Sequence, residues 1–451
     1  MPEREQERIR DPLSMKRMET SSPLPSPPQV CGGEGGVFCN SGMKHRIILT
    51  LALAAGLLVG GAARGSDWPN WRGPLHNGVS TETNWNAKWP ATGPPVLWRA
   101  SVGTGFSSVS VAKGRAYTAG NQTNLETVWC FDAATGSNLW KYSYSCPVDA
   151  NMYEGGPSAT PTVDEGRVYM LNKKGGLFCL DAESGKIQWY VNVPVAISAL
   201  APTWGYAGSV LVQSNLLILN VGSHGAAVDK TNGSIAWSSG ADQCGYSSAA
   251  PFNFMGIPSV VIISAQTVFG VDVKTGHALF SRPWKTEYDL NIADPIVSGV
   301  DIFVSAGYGH GACVFRAGAA SATVWENTNL CNQINSSALV EGYLYGVDGN
   351  VNNAGDGVLK CVDFATGAEK WSYKGLGGGA LMAAGGKIIM IGDRGELVVA
   401  EASPDGFHPI SRAQVLDPKC WTVPTLANGR IYCRNAKGDL ICLDVRGPIS
   451  R

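Results

Sequence analysis

The side chains of this chain that could do chemistry are gathered in a few short segments. Trp204-Gly205-Tyr206, Cys244-Gly245-Tyr246, Asn291 with Asp294, Gln333 with Asn335, and Cys420-Trp421 put rings beside amides, thiols and a carboxylate. Ser223-His224-Gly225 and Tyr308-Gly309-His310-Gly311 each present a histidine next to glycine. Rings of this kind stack on apolar ligand faces, and amides and hydroxyls bond polar edges. His, Cys and Asp also suit zinc or copper. A set made of His224, Cys244, Asp294 and His310 lacks the short spacing of a metal motif, so no metal site is expected. No Gly-x-Ser-x-Gly, His-Glu-x-x-His or phosphate-binding loop occurs. Gly377-Gly378-Gly379 has no Lys-Ser/Thr pair after it and reads as a loop. The chemistry on offer is binding, and no catalytic residue is identified.

These segments are positioned by a repeat. The unit small-x-Asp-x-x-Thr/Ser/Asn-Gly-x-x-x-Trp occurs as Cys130, Asp132, Thr135, Gly136, Trp140 and as Cys179, Asp181, Ser184, Gly185, Trp189. It returns as Ala227, Asp229, Asn232, Gly233, Trp237, and as Gly270, Asp272, Thr275, Gly276 with Phe280 in place of Trp. Cys361, Asp363, Thr366, Gly367, Trp371 form another clean copy. Two copies are worn, one around Cys313, Arg316 and Trp325, the other around Glu401, Gly406 and Ile410. The last, Cys442-Leu443-Asp444, stops near the C-terminus. Asp-x-x-Thr-Gly is a turn, with Asp bonding forward to amides and Gly supplying a positive φ. Alternating apolar runs flank it, so each unit is two hairpins, or four strands. The spacing of about 45 residues is that of a propeller blade.

The predicted fold is all-β, an eight-bladed propeller of four-stranded blades. The last copy ends before its Trp, while Pro95–Val102 offers an orphan strand carrying Trp98. That N-terminal strand is expected to complete the last blade and close the ring. Composition agrees: 56 Gly and 25 Pro supply turns, 44% of residues are hydrophobic, and only 16% are charged. With a net charge of −1 and no long basic stretch, nucleic-acid binding has no electrostatic support. Cys130, Cys179, Cys361 and Cys442 hold a small-residue position on third strands that should lie roughly 12 Å apart in neighbouring blades, beyond the roughly 7 Å a disulfide spans, so they are expected to be unpaired thiols. A pairing among Cys146, Cys244, Cys331, Cys420 and Cys433 stays open.

Residues 1–42 are polar, with Pro clusters and no apolar period, and read as disordered or as a start-site artefact before Met43. Residues 43–65 have a basic start, an apolar run and Ala63-Arg64-Gly65, which reads as a signal peptide cleaved after Gly65. The propeller then spans 66–451, in the periplasm or secreted. The apolar run is shorter than a membrane span needs, so the mature form is expected to have none.

The repeat resembles the tryptophan-docking unit of quinoprotein alcohol dehydrogenases and the wider pyrroloquinoline-quinone-like (PQQ-like) propeller family. Trp68-Pro69-Asn70-Trp71-Arg72-Gly73-Pro74 and Asn77-Gly78-Val79-Ser80 are similar to the start of secreted planctomycete-type members. The resemblance implies that Trp98, Trp140, Trp189, Trp237, Trp325 and Trp371 dock on glycine peptides, among them Gly136, Gly185, Gly233, Gly276 and Gly367. The chain departs from the dehydrogenases in having no adjacent Cys pair and no segment matching their Ca²⁺ site. No cofactor is therefore expected, with PQQ and Ca²⁺ as the alternative.

In such a propeller the loops entering each blade and those between its second and third strands share the face around the axial channel. The ligand-facing candidates there are Trp204, Tyr206, His224, Tyr246, Asn291, Asp294, Tyr308, His310, Gln333, Asn335 and Trp421. Singly, the aromatics read as channel plugs and the histidines as loop braces. Together they read as a polar-aromatic pocket. The expectation is an exported, non-catalytic binding or scaffold propeller of the cell envelope, with a protein or small-molecule partner. The outer-membrane assembly propeller, a lipoprotein, is the nearest analogue by fold, but no lipid-anchoring Cys follows the apolar run here. The alternative is a PQQ- or metal-dependent oxidoreductase acting on alcohols or sugars.

Overall fold

Each Asp-turn joins the third and fourth strands of an antiparallel sheet in the computed structural model, which describes residues 66–351 and 356–447. The segment expected to be a signal peptide, 43–65, and the residues before it lie outside the described residues. Blades 1 to 4 run from Ser110–Ala112 to Asn138–Ser145, Thr162–Asp164 to Ile187–Asn192, Leu211–Gln213 to Ile235–Ser238 and Ala250–Phe254 to Ala278–Pro283. Blades 5 to 7 run from Ile296–Ser298 to Thr323–Asn327, Ala338–Val340 to Glu369–Lys374 and Ala380–Ala384 to Pro409–Gln414. Blade 8 takes three strands from the C-terminal end, Thr425–Ala427, Arg430–Arg434 and Asp439–Asp444. Its fourth is Val96–Ser101, which sets Trp98 opposite Cys442. The eight-bladed ring and its closure are as the sequence predicts.

A row of three residues explains the small first position of the repeat. Tyr117, Cys130 and Trp140 lie side by side across strands two, three and four of blade 1. Tyr169, Cys179 and Trp189 do so in blade 2, and Tyr345, Cys361 and Trp371 in blade 6. Blade 8 has Tyr432, Cys442 and Trp98. Two large rings flank the middle residue, so only a small side chain fits. In blade 5 the middle residue is Val314, between Phe303 and Trp325, rather than Cys313. All ten cysteines of the described residues are buried and free.

Each docking ring lies on the turn of the next blade. A Cβ added to Gly136 would sit 2.5 Å from the Trp98 ring, and one on Gly185 2.6 Å from Trp140. Gly233, Gly276 and Gly367 meet Trp189, Trp237 and Trp325 in the same way. These turns need glycine twice over, because Gly136 also has φ +72°. The indole then donates to the carbonyl after the Asp, as Trp140 Nε1 does to Ala182 O (3.1 Å) and Trp237 Nε1 to Val273 O (2.8 Å). Trp189 is the exception: its indole N–H has no partner among the described residues, and the matching Lys230 carbonyl accepts from Arg167 and Tyr169 (2.8 and 3.2 Å). Trp371 has no glycine beneath it and donates to Ser403 O (2.8 Å) while packing near Phe407.

Blade 7 lacks a docking tryptophan. Its turn is longer, so Ser411 rather than Ile410 faces the middle residue Val399. The N-terminal segment fills the place: Trp89 N donates to Ser411 Oγ (3.0 Å), and Trp85 is buried in the core shared by blades 7 and 8. At the closing seam, Arg434 of blade 8 is fully buried. It donates to the blade 1 carbonyls of Ser107 (3.0 Å), Ala119 (2.6 Å) and Gly103 (2.9 Å). Burial pushes its pKa down to about 9, so it stays charged at neutral pH.

Trp98→Ala is expected to lower stability by about 3–5 kcal/mol, as for other buried aromatics. Gly136→Ala should cost about 1–3 kcal/mol by forcing the Trp98 ring away. Deleting Pro94–Val102 should abolish the cooperative melt of the ring. Thermal unfolding of the three variants checks this; a truncated protein that melts like the parent would refute closure by this strand.

Candidate functional site

The channel is lined by a position two residues before each first strand. Going round the ring it holds Ser108, Thr160, Ser209, Ser248, Asp294, Ser336, Gly378 and Val423. Most of these side chains link one blade to the next. Ser108 N donates to Thr160 Oγ1 (3.0 Å), Thr160 N to Ser209 Oγ (2.9 Å) and Ser209 N to Ser248 Oγ (2.9 Å). Ser248 N continues to Asp294 Oδ1 (2.6 Å), and Asp294 N to Ser336 Oγ (2.8 Å). Asp294 is the one acid in a ring otherwise made of hydroxyls and small or apolar groups.

The N-terminal segment supplies its counter-charge. Trp68 bridges Val111 of blade 1, Pro69 O accepts from Val163 N of blade 2 (2.7 Å), and the chain then enters the channel. Trp71 Nε1 donates to Asp294 Oδ2 (2.5 Å), and Arg72 Nε lies 3.8 Å from the same oxygen. Arg72 Nη2 also donates to Asn77 O and to Ser337 O (both 2.9 Å). The chain leaves along blade 7, where Val79–Ser80 pairs parallel to Ala383–Ala384. Glu82 then accepts the backbone amides of Asn428 and Gly429 of blade 8. This strap crosses the end of the channel marked by the first-to-second-strand turns and closes it. Burial raises the Asp294 carboxyl above its usual value, against the opposing pull of Arg72 and its hydrogen-bond donors.

Above this floor opens a funnel of about 500 Å³. Its walls carry Phe106, Tyr153, Trp204, Tyr246, Tyr288, Tyr308 and Trp421, and Trp71 belongs to its floor. The rings pack on one another: Phe106 and Trp421 are stacked at 5.6 Å, while Trp204–Tyr246 and Tyr288–Tyr308 meet edge-on at 6.0 and 5.5 Å. Cations hold the walls from outside. Lys419 Nζ lies 3.9 Å from the Trp421 ring centre and pairs with Glu154 (3.1 Å). Lys173 Nζ donates to Tyr153 Oη (2.8 Å) and Asp149 O (2.7 Å).

Of the residues expected to face a ligand, Trp204, Tyr246, Asp294, Tyr308, Gln333 and Trp421 line the funnel. The others brace loops. Tyr206 is buried in the core between blades 2 and 3. Asn291 Nδ2 donates to Ser264 O (3.0 Å) and Ala265 O (2.8 Å), and Asn335 Nδ2 to Gly379 O (2.8 Å). His224 packs on Phe269 (4.8 Å) and His310 on Trp284 (4.5 Å). Each histidine sits where the third strand begins, roughly 10 Å outward of the first strand at the usual strand spacing. No group of three or more His, Cys, Asp and Glu able to hold a metal occurs among the described residues. Trp71, Arg72, Tyr153 and Tyr288 are additions to the expected set. The only sequence signal for the first two was the Trp-Pro-Asn-Trp-Arg-Gly-Pro stretch.

Residues 85–238 and 125–373, together more than half of the chain, match the family described as outer membrane protein assembly factor BamB. The chain belongs to that family. BamB from Moraxella catarrhalis superposes with a TM-score of 0.56 at 16% identity, covering 78% of this chain and 99% of that one. A europium-containing methanol dehydrogenase gives 0.63 at 11% identity, covering 84% and 89%. The quinohemoprotein alcohol dehydrogenase from Comamonas testosteroni gives 0.63 at 13% identity, covering 86% and 81%. At these identities the likeness concerns the fold. No curated protein sequence matches the chain.

Behind the funnel wall this BamB-family propeller buries an acid. Glu126 accepts the Tyr144 hydroxyl (2.5 Å), and burial pushes its carboxyl up to about 7. A carboxyl with a raised folded value keeps a proton that unfolding releases, here between about pH 4.5 and 7. Its contribution to stability is full below that window and lost as pH rises through it. Glu126→Gln should therefore raise the melting temperature by roughly a few degrees at pH 8 and far less at pH 4. At the floor, Asp294→Ala should lower stability by about 3–5 kcal/mol by stranding Arg72. Adding Arg72→Met should recover part of that loss, as read by denaturant unfolding.

Proposed function

We propose that this protein is an exported, non-catalytic binding propeller of the cell envelope that holds a small molecule or peptide in the funnel. The observation carrying this is a blind, ring-lined cavity of about 500 Å³, a size typical of ligand sites. The family description, an outer membrane assembly factor, supports an envelope role. The signal-like segment 43–65 supports export, and among the described residues no helix is long and apolar enough to cross a membrane.

The fit of a quinone cofactor can be judged from the side chains. The sequence has no adjacent Cys pair, and the described residues offer no acidic cluster for a divalent ion. Asp294 already faces Arg72, and Lys173 and Lys419 already have partners, so among the described residues of the funnel no free cation awaits the cofactor's carboxylates. These residues do not fit PQQ with Ca²⁺. The binding reading follows from the donor set as well as from the cavity.

Titration of the mature protein with PQQ and Ca²⁺, followed by intrinsic fluorescence and dye-linked alcohol oxidation, should show neither saturation nor turnover. Saturable binding with turnover would overturn the non-catalytic reading and install the oxidoreductase. N-terminal sequencing of the protein recovered from the envelope should begin at Ser66; a chain retaining residues 43–65 would refute export by cleavage.

A further inference from the structure

We infer that the funnel takes a neutral saccharide, entered by the end of the sugar chain; this rests on the funnel being the ligand site. Ser209, Ser248 and Ser336 line the funnel, and each oxygen accepts a backbone N–H from the preceding blade. Ser209 and Ser248 donate their own O–H to no described residue, while the Ser336 hydroxyl also bonds the Asp294 carboxylate. Ser108, by contrast, donates to Val423 O (2.8 Å). The floor thus presents hydroxyl protons seeking acceptors, which ligand hydroxyl or ring oxygens supply.

The electrostatics select a neutral ligand. The one charged group lining the funnel is Asp294, and its oxygens are occupied by Ser248 N and Trp71 Nε1 with Arg72 beneath. It does not call for a cation. The outer lysines are engaged with Glu154, Asp149 O and Tyr153, so an anion finds no unpaired partner there.

Ring geometry favours a puckered ligand over a flat one. A planar heterocycle needs two parallel rings facing each other across a gap. Here Phe106 and Trp421 stack on each other, and Trp204–Tyr246 and Tyr288–Tyr308 are edge-on. The lumen therefore meets a mosaic of ring edges, partial faces and hydroxyls. A pyranose matches it, with C–H faces for the rings and equatorial hydroxyls for Gln333 and the serines. Because Trp71 and Arg72 close the far end, a chain cannot thread through. Only its terminal units fit.

Calorimetry and tryptophan fluorescence on the mature protein, with cellotriose, xylotriose, maltotriose and chitotriose, test this; PQQ and choline are the charged probes. At least one trisaccharide should bind saturably, with affinity unchanged between low and high salt and no tighter for the matching hexasaccharide. Trp204→Ala and Trp421→Ala should each weaken that binding at least tenfold with the melting temperature preserved. Binding of PQQ or choline alone, lost in the same variants, overturns the saccharide and leaves the funnel as the ligand site. No binding by any probe overturns both.

Discussion

A four-stranded blade has two faces to bury and little of its own to bury them with. Five of the eight blades solve this by laying a fourth-strand ring on the glycine peptide of the next turn, as Trp140 does on Gly185. The ring covers apolar surface, and its indole N–H finds an acceptor in a turn carbonyl of the next blade. The contact is directional, from one blade to the next, so it is complete only in a closed circle. Trp98, held on a strand from the other end of the chain, closes it.

Closure by an N-terminal strand has a further consequence. The residues before that strand must lie against the ring, and they do so across the channel. Trp85 and Trp89 fill the gap left by blade 7, Val79–Ser80 extends its innermost edge, and Trp71-Arg72 enters the channel. A through-channel becomes a blind funnel. The funnel is therefore coupled to the same segment that completes the fold.

Charges are few in this chain and are placed at junctions. Arg434 ties blade 8 to blade 1 through three carbonyls and the Thr118 hydroxyl, in a strand position that is apolar in other blades, such as Leu171 and Val347. Arg72 and Asp294 tie the strap to the ring. Buried ions without partners are costly, so such groups persist where hydrogen bonds are dense. The same rule accounts for Glu126, which gains one strong donor in Tyr144 but leaves its second oxygen without a partner, and so holds its proton to a higher pH.

The ring itself was legible because its causes are local and repeated. Asp-turn chemistry, a small residue between two rings, and a tryptophan at fixed spacing are each written within a dozen residues and recur blade after blade. Even the closing strand showed, as a Trp without a turn at one end and a turn without a Trp at the other. The site was legible only in part. Its residues arrive singly from distant parts of the chain, and their loop position does not say which way a side chain turns. Trp204, Tyr246 and Trp421 turn to the axis, while Tyr206, Asn291 and Asn335 turn to bond neighbouring loops. Sequence alone determined the number of blades and the loops that surround the channel mouth. Tertiary structure decided that the channel is blind and its floor neutral, because both depend on Arg72 meeting Asp294 across more than two hundred residues of chain.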